Sequence, residues 1–296
     1  MIDSVMFRFE GVAFDLGLLE KVQARSDGRG WWGRLGSLVV SYSCRGLSVR
    51  GSLSRYLVGC NIAPLTRPHV AEALRKLERE SGIDLAAGRV FGLEVGSTFA
   101  MDEPPSDYLA SWLLYPRRKR TTFGNGETVI FENVARALSG YDKAREVGKN
   151  RKNGDLDGRK ILRIEERIRA RVDSYFGQSV KPWDLADADF YGRAVKAWAA
   201  SYFRVEKKKE IVTMPNISGT KDLEKLLAIV GLSEYGLDRA EAMIARGRAR
   251  GAIDKKSAQR MRAKIRAIAK DASYSDVSAL TEELDAKVRD AERFPR

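Results

Sequence analysis

The strongest constraint on the fold is a change in the spacing of apolar residues near Trp183. Before this point, short or alternating runs of Val, Leu, Phe and Tyr predict β-strands in segments 1–9, 38–49 and 88–99. Segment 66–81 has the Thr cap, the early Pro and the apolar spacing of a helix. After Trp183 the pattern is helical and polar, so the sequence predicts an α+β protein.

The predicted domain organisation follows this change of pattern. The chain has 296 residues, of which 44% are hydrophobic, and this length suits one large domain or two of ordinary size. We expect a first domain over residues 1–205 and a linker with Pro, Gly and a Lys run over 206–221. A basic helical domain of three further helices is expected over 222–296.

The charge of the chain favours a polyanionic partner. The sequence has 53 Lys and Arg against 40 Asp and Glu, which gives a net charge of +13 and a pI of about 9.7. Nucleic acid is the leading candidate, and an anionic membrane surface is the alternative. Because no apolar run approaches the roughly 18 residues of a membrane span, we expect no membrane partner and a cytoplasmic location. Acidic residues near the start argue against a signal peptide.

Histidine and cysteine usage restricts the kinds of metal site that the chain can build. Cys44 and Cys60 are too few and too far apart for a metal knuckle, and we expect them to be reduced packing residues. His69 is the only histidine, which disfavours a His-based zinc site or a Ser-His-Asp triad. Any metal should therefore be held by carboxylate oxygens, and this predicts Mg²⁺ or Mn²⁺.

Two predicted strands present acidic side chains on defined faces. In segment 88–99, strand alternation places Val90, Gly92, Glu94 and Gly96 on one face. The flanking glycines would let a ligand approach Glu94, although glycines in a strand can also mark a bulge. In segment 161–176, Arg163, Glu165, Arg167 and Arg169 fall on one side of a strand, and its later half also fits an amphipathic helix.

Tyr141 lies where a nucleophile could be placed. Segments 128–131 and 135–141 read as a hairpin that ends at this residue, and Lys143 follows it. Cleavage of a phosphodiester by tyrosine needs a cation to stabilise the phenolate, because a phenol has a pKa of about 10. Lys143 and a metal-binding Glu165 would meet this need. The alternative interpretation is a half-buried aromatic residue beside a solvated lysine.

Two further segments are candidate DNA-binding surfaces. The first is the compact basic run Arg117, Arg118, Lys119 and Arg120, which could instead be a solvated loop. The second is segment 239–270, where basic residues, including Arg246, Arg248 and Arg250, greatly outnumber acids and two glycines interrupt the pattern. It fits a helix-turn-helix reader as well as the solvated basic face of a helical bundle.

The order of several short motifs resembles a known family. These motifs are MID at residues 1–3, GSL at 51–53, GCN at 59–61, LEV at 93–95, TVIFENVARALSGYDK at 128–143 and LRIEERI at 162–168. Together they are similar to the filamentous-phage gene II replication initiators, which are related to plasmid rolling-circle initiators and relaxases. The likeness covers roughly residues 1–205.

The resemblance implies a nuclease domain built on a central antiparallel sheet, like that of the HUH nucleases but without their two-histidine motif. It implies that Tyr141 is the nucleophile, that Lys143 acts beside the phosphate, and that Glu165 is a carboxylate of the metal site. Glu94 would be the second carboxylate, although the family usually has Arg-Ile-Asp where this chain has Gly-Leu-Glu. Arg163 would contact phosphate.

The expected function is therefore that of a rolling-circle replication initiator. It would bind origin DNA, both double-stranded and single-stranded, and nick one strand through a 5′-phosphotyrosyl intermediate with Mg²⁺ or Mn²⁺. Host helicase and polymerase in a bacterial cytoplasm would be further partners. A plasmid initiator or a mobilisation relaxase would share this chemistry. A DNA-binding regulator without catalysis, in which Tyr141 only packs, is the alternative from another class.

Overall fold

The computed structural model describes residues 1–26, 28–62, 65–150, 156, 158–208, 219–270 and 278–293. Within these ranges the protein is α+β, with one large antiparallel sheet, a two-stranded sheet and ten α-helices. The α+β class expected from the sequence is therefore confirmed.

Twelve strands form the two sheets. They are β1 (Ile2–Phe9), β2 (Glu20–Ala24), β3 (Gly30–Leu35), β4 (Leu38–Ser43), β5 (Gly46–Ser52), β6 (Arg89–Ala100), β7 (Trp112–Leu114), β8 (Lys119–Phe123), β9 (Thr128–Glu132), β10 (Arg136–Asp142), β11 (Ile161–Ile168) and β12 (Glu206–Lys207). Ten strands pair in the order β2-β3-β4-β5-β1-β6-β11-β10-β9-β8, and β7 pairs with β12.

The helices described in the structure are mostly short in the first part of the chain and longer towards its end. They are α1 (Leu53–Val58), α2 (Arg67–Ser81), α3 (Pro105–Ala110), α4 (Lys143–Asn150), α5 (Val172–Phe176), α6 (Ala188–Phe203), α7 (Thr220–Tyr235), α8 (Leu237–Ala249), α9 (Lys255–Lys270) and α10 (Ala279–Arg293). Among the described helices, none is both long enough and apolar enough to cross a membrane.

The centre of the large sheet is built from strands that are far apart in the sequence. The predicted hairpin is confirmed, since β9 pairs with β10 with Leu138 opposite Phe131. Strand β11 then pairs with β10 on one side and with β6 on the other. Strand β1 lies between β6 and β5. The segments 1–9, 88–100, 136–142 and 161–168 are therefore neighbours in the sheet.

The two faces of the central strands differ in character. On one face, Phe99 stacks on Trp198 of α6 with ring centroids 6.3 Å apart. The Trp198 indole N–H donates to the Ile164 carbonyl at 3.2 Å, so α6 covers this apolar face. The opposite face carries Glu94, Glu165 and Tyr141, and we call it the polar face.

Three details differ from the expectations. Val90 does not share the face of Glu94, because a register shift between the pairs Met6–Gly92 and Phe7–Val90 places Val90 opposite the buried Phe7. Among the residues described after 219 there are four helices, not three, since Gly236 separates α7 from α8 with a φ of 87°. Cys44 is exposed and is therefore not a packing residue.

The chain forms two compact units. The first contains Met1–Leu109, Tyr115–Arg204 and Leu284–Arg296, and the second contains Ala110–Leu114 and Val205–Glu283. The domains expected from the sequence were 1–205 and 222–296, and the compact units have different bounds at Ala110–Leu114 and after residue 283. Most of the linker expected over 206–221 lies outside the described residues, which leave out 209–218.

Candidate active site

Three neighbouring strands place the candidate residues side by side on the polar face. Tyr141 of β10 is opposite Arg163 of β11. Two residues further along β11, Glu165 is opposite Gly96 of β6, and Arg167 is opposite Glu94. Because directly opposed residues of antiparallel strands point to the same face, these side chains share one surface. As expected from the sequence, residues two positions apart in a strand point to the same face, and this alternation aligns the side chains.

Three carboxylates converge on this face. Asp3, Glu94 and Glu165 are all buried, and each offers an oxygen that lies within 4.8 Å of the others. Asp3 comes from β1, where a register shift between Ile2 and Val5 marks a bulge. The Ser52 hydroxyl donates a hydrogen bond to Asp3. Bulges commonly re-aim a side chain next to a functional site.

Gly96 makes the room that Glu165 occupies. A Cβ atom at position 96 would lie 2.5 Å from the Ile164 carbonyl oxygen and 2.9 Å from Glu165 Cγ. Both separations are shorter than van der Waals contact, so a larger residue would push β11 and its carboxylate away. The glycine beside Glu94 is therefore explained by close packing of two strands rather than by approach of a ligand.

The Arg163 guanidinium is enclosed within the cluster. It is fully buried and donates to Asp3 Oδ2 at 2.5 Å, to Glu165 and to the Asn61 carbonyl at 3.1 Å. Burial alone would lower the pKa of Arg163, but the charges of Glu165 and Asp3 outweigh it and raise that pKa. Arg163 therefore stays cationic. Its position inside the cluster supports the carboxylates, and no surface is left for direct contact with solvent.

Glu94 is paired with the more exposed Arg167. Arg167 Nε lies 2.6 Å from Glu94 Oε2, and Arg167 Nη2 lies 3.7 Å from Glu165 Oε2. Burial and the nearby charge of Glu165 raise the pKa of Glu94 to about 7, against the opposing effect of Arg167. Proximity to a second buried carboxylate is the ordinary cause of such a shift.

The Tyr141 hydroxyl is joined directly to the carboxylate cluster. It donates to Glu165 Oε1 at 2.8 Å. Burial and the negative charge of Glu165 raise the pKa of Tyr141 above its ordinary value, while Arg163 opposes this effect. The phenol is therefore protonated here, and its ionisation requires added positive charge at the cluster.

Lys143 lies next to Tyr141 but is directed elsewhere. It is fully buried at the start of α4, and its Nζ donates to Glu146 Oε2 at 2.7 Å. The same Nζ lies 5.8 Å from the centre of the Tyr141 ring. The ammonium thus faces the ring and Glu146. A role of Lys143 at the phosphate remains a prediction.

The predicted basic run is divided between two environments. Arg117 and Lys119 are exposed, and Arg120 is half-buried. Arg118 instead makes a bidentate ion pair with Glu166, at 2.6 and 2.8 Å, and its side chain is 1% exposed. Glu166 is on the apolar face of β11, where Ser201 of α6 also donates to it at 2.7 Å. Arg118 therefore ties the sheet to α6, and a contact of Arg118 with DNA remains a prediction.

The remaining predicted DNA-binding residues belong to the second compact unit. Arg246, Arg248 and Arg250 are exposed at the end of α8. Helices α8 and α9 are separated by a short turn, with Gly251 at a φ of 74°. Their basic charge is therefore available on the surface, as the sequence suggested for either a DNA reader or a solvated bundle face.

Two residues of the cluster were not anticipated as site residues. Asp3 was quoted only within a motif, and Arg167 only as part of a strand pattern. An acidic residue inside an otherwise apolar strand is the signal that could have identified Asp3. His69 lies outside the cluster, where its Nδ1 is 2.7 Å from Thr66 Oγ1.

Neither a protein-family model nor a curated protein sequence is significantly similar to this chain.

Proposed function

We propose that this protein is a metal-dependent tyrosine DNA endonuclease that initiates rolling-circle replication. The observation that carries the proposal is the hydrogen bond of 2.8 Å from the Tyr141 hydroxyl to Glu165, inside a cluster of three buried carboxylates. A nucleophile, an acceptor for its proton and a set of oxygen ligands thus lie on one face of the sheet. These are the groups that phosphodiester cleavage by tyrosine needs.

Tyr141 attacks the phosphorus in line with the bond to the 3′ oxygen. The phenolic proton passes to Glu165, which already accepts the hydrogen bond. A bond forms between the tyrosine oxygen and phosphorus, the bond from phosphorus to the 3′ oxygen breaks, and that oxygen takes up a proton to become a 3′-hydroxyl. The products are a 5′-phosphotyrosyl adduct and a free 3′ end. Attack by a later 3′-hydroxyl reverses these steps and rejoins the strand.

The carboxylates fit a hard divalent cation. Oxygen ligands from Asp3, Glu94 and Glu165 are the type that Mg²⁺ and Mn²⁺ prefer. Arg163 and Arg167 compensate two of the three negative charges, so one negative charge is left when all three carboxylates are ionised. A bound Mg²⁺ or Mn²⁺ supplies positive charge that offsets the phosphate oxygens and lowers the pKa of the phenol.

Other residues act around this centre. Arg163 holds Asp3 and Glu165 in position through its buried guanidinium. Lys143 is predicted to act on the phosphate. It would exchange its hydrogen bond to Glu146 for one to a phosphate oxygen. Arg167 is 46% exposed and lies at the edge of the cluster, where an approaching phosphate would meet it.

The proposed setting is the origin of a phage or plasmid in a bacterial cytoplasm. Double-stranded origin DNA would be bound through basic surfaces, and the nick site would be presented as a single strand. Host polymerase would extend the 3′-hydroxyl, and host helicase would separate the strands. A plasmid initiator or a mobilisation relaxase would use the same residues in the same way.

One observation favours a second candidate, a DNA-binding regulator without catalysis. Each carboxylate of the cluster already has an arginine partner, and the pKa of Tyr141 is raised by burial and by Glu165. Such a cluster could serve the fold alone, as buried ion pairs often do. The two candidates differ in whether a covalent adduct with DNA forms.

A covalent adduct assay on DNA of random sequence tests the proposal without knowledge of the origin. The wild-type protein is incubated with a pool of single-stranded oligonucleotides labelled at the 3′ end, with Mg²⁺ or Mn²⁺. We expect the 3′ label to remain with the protein in a denaturing gel, because the tyrosine is joined to the 5′ phosphate of the downstream fragment. Mass spectrometry should find the modification on Tyr141.

Matched variants identify the nucleophile and the metal ligands. Tyr141→Phe keeps the ring and should abolish the adduct, whereas Tyr175→Phe, at another partly buried tyrosine, should form it normally. Glu165→Gln should behave like excess chelator, and Glu94→Gln should weaken the reaction less. An adduct in the Tyr141→Phe protein would refute the nucleophile, and unchanged activity in chelator would refute the metal. If the wild-type protein binds the oligonucleotide pool but forms no adduct under any metal condition, the result supports the second candidate, a DNA-binding regulator without catalysis.

A further inference from the structure

A basic groove crosses the polar face of the sheet beside the candidate active site. One wall is a row of opposed residues that runs from Arg34 on β3 through Val39 and Arg50 to Met6 on β1. The adjacent row runs from Trp32 through Ser41 and Ser48 to Arg8. Both rows lie within the first compact unit.

Side-chain size explains why these rows form a groove. Ser41 and Ser48 are opposed across β4 and β5, and their hydroxyl oxygens are 2.8 Å apart. These short side chains form the floor. Longer side chains, including Trp32, Arg34 and Arg50, line the same depression. A second depression shares Ser41 and Ser48 and extends to Arg45 at the β4–β5 turn.

The charge of the groove suits a polyanion. Arg34, Arg45 and Arg50 are exposed, and Arg8 is half-buried with its guanidinium 3.8 Å from the centre of the Phe91 ring. Glu20 of β2 is opposite Arg34 and is the acidic neighbour of the first row. Arginine presents several N–H donors that match phosphate oxygens. The arginines of the groove outnumber this acidic neighbour, so the groove keeps a net positive charge.

The groove leads to the carboxylate cluster on the same face. Met6, at the end of the first row, is opposite Gly92 of β6, and Glu94 follows two residues later. With strands spaced about 4.8 Å apart, β3 is about 19 Å from β6. A strand of nucleic acid lying along the rows would therefore reach from Arg34 to the neighbourhood of Glu94 and Tyr141.

We propose that this groove, formed by the two rows from Arg34 to Met6 and from Trp32 to Arg8, binds the single-stranded DNA that leads into the nick site. This inference rests on the proposed function for the direction of the strand, but the binding itself needs no catalysis. Arg34 and Arg50 contact phosphates, and Trp32 stacks on a base. A partly exposed tryptophan within a basic groove is typical of single-strand binding, because every base has a face on which to stack.

The arginines are tested by the salt dependence of binding. The probe is fluorescent oligothymidylate of about 16 nucleotides, near the upper size of a single-strand site. Binding is measured by anisotropy in excess chelator with Tyr141→Phe protein, so that no reaction occurs. We expect Arg34→Gln with Arg50→Gln to reduce the slope of log affinity against log salt by about 1.4, at about 0.7 per phosphate contact.

A matched double variant controls for loss of net charge. Arg75 and Arg79 are exposed on α2 and do not line either depression. Arg75→Gln with Arg79→Gln removes the same charge and should leave the slope unchanged. An equal reduction of the salt slope in both double variants would mean that only net charge matters. This result would overturn the proposal that the groove binds single-stranded DNA.

Trp32 is tested by its own variants. Trp32→Ala should weaken oligothymidylate binding about tenfold while leaving the salt slope unchanged, because stacking involves no phosphate contact. Trp32→Phe should restore most of the affinity, and thermal unfolding checks that both proteins are folded. Unchanged affinity in Trp32→Ala would refute stacking. If duplex DNA loses as much affinity as the single strand in every variant, the groove is not specific for single strands.

The adduct assay separates this inference from the proposed function. Normal adduct formation with an unchanged salt slope in the Arg34 and Arg50 double variant would refute DNA binding by the groove. The proposed nuclease function would still be supported. A reduced slope in that variant, together with no adduct in the wild-type protein, would support the groove and refute the nuclease.

Discussion

At the scale of single residues, two buried glutamates define the electrostatics of the site. Glu94 and Glu165 share the polar face, and the charge of Glu165 disfavours ionisation of Glu94. Arg167, which lies near both carboxylates, offsets part of this repulsion. The arrangement therefore stores unfavourable energy that the protonation of Glu94 relieves.

The pKa of Glu94 predicts a dependence of stability on pH. Its value rises from 4.5 to about 7 on folding, so the folded protein binds this proton more tightly than the unfolded chain does. The contribution to stability is fully present below about pH 4.5 and is lost as the pH rises to about 7. The change amounts to about 3 kcal/mol, at about 1.36 kcal/mol per pKa unit.

Urea unfolding in excess chelator measures this contribution. The free energy of unfolding of the wild-type protein should fall, relative to that of Glu94→Gln, between about pH 4.5 and 7. Above that range the two curves should run parallel, with the variant more stable. Curves that run parallel over the whole range would show that Glu94 ionises normally in the folded protein.

Gly96 predicts a second residue-scale effect. Gly96→Ala introduces a Cβ atom 2.5 Å from the Ile164 carbonyl oxygen, and overpacking of this kind costs about 1–3 kcal/mol. Gly192→Ala is the matched control, because a Cβ there has open space inside α6 and a helical alanine stabilises by up to about 1 kcal/mol. Thermal unfolding should therefore move in opposite directions. A Gly96→Ala protein as stable as wild type would contradict the packing described.

At the scale of elements, the sequence predicted strands where one face is buried and missed them where both faces are exposed. Strand β9 alternates between buried and half-buried residues, and strands β6 and β10 are largely buried, so their apolar residues leave a visible pattern. Strand β2 is exposed at every position, so it has no such pattern. Strand β8 was not predicted as a strand for the same reason, since none of its residues is buried.

The candidate site was predicted in part, for a related reason. Glu94 and Glu165 are on strands whose alternation is readable, so their faces could be inferred. Asp3 pairs with Arg163 over a separation of 160 residues, and the order of strands in the sheet sets this contact. Hydrophobic spacing within one segment carries no information about which distant strand becomes its neighbour. The cluster therefore needed the three-dimensional structure.

The start of strand β8 predicts different roles for adjacent basic residues. Arg118→Gln breaks a buried bidentate pair with Glu166 and should destabilise the protein by about 3–5 kcal/mol. Lys119→Gln removes an exposed charge and should leave stability within about 0.5 kcal/mol. Chemical unfolding of both variants gives the comparison. Similar small losses for both would mean that the pair with Glu166 is unimportant for folding.

At the scale of the whole molecule, the end of the chain belongs to the first compact unit. Residues from Leu284 onward are grouped with the sheet. The Tyr202 hydroxyl donates to Asp285 at 2.6 Å, and Lys287 donates to the Ala100 carbonyl at 2.5 Å. Truncation after residue 205 would therefore remove part of the sheet unit, so point variants test the second unit more cleanly.

The exposed arginines of α8 predict how the second unit contributes to DNA binding. Neutralising Arg246, Arg248 and Arg250 together should reduce the salt slope for duplex DNA by up to about 2.7, at about 0.9 per phosphate contact. Adduct formation on short single strands should be unchanged, because the proposed chemistry lies in the first unit. An unchanged slope for duplex DNA would identify this segment as a solvated bundle face.

The two edges of the large sheet bear on how copies of the protein can associate. Strands β2 and β8 are the outermost strands, and unpaired edges invite pairing with another chain. A register shift between Glu20 and Gln23 makes β2 irregular, and Lys119 and Arg120 place positive charge on β8. Both features discourage the addition of a further strand. We therefore expect that copies of the protein do not extend the sheet from one chain to the next.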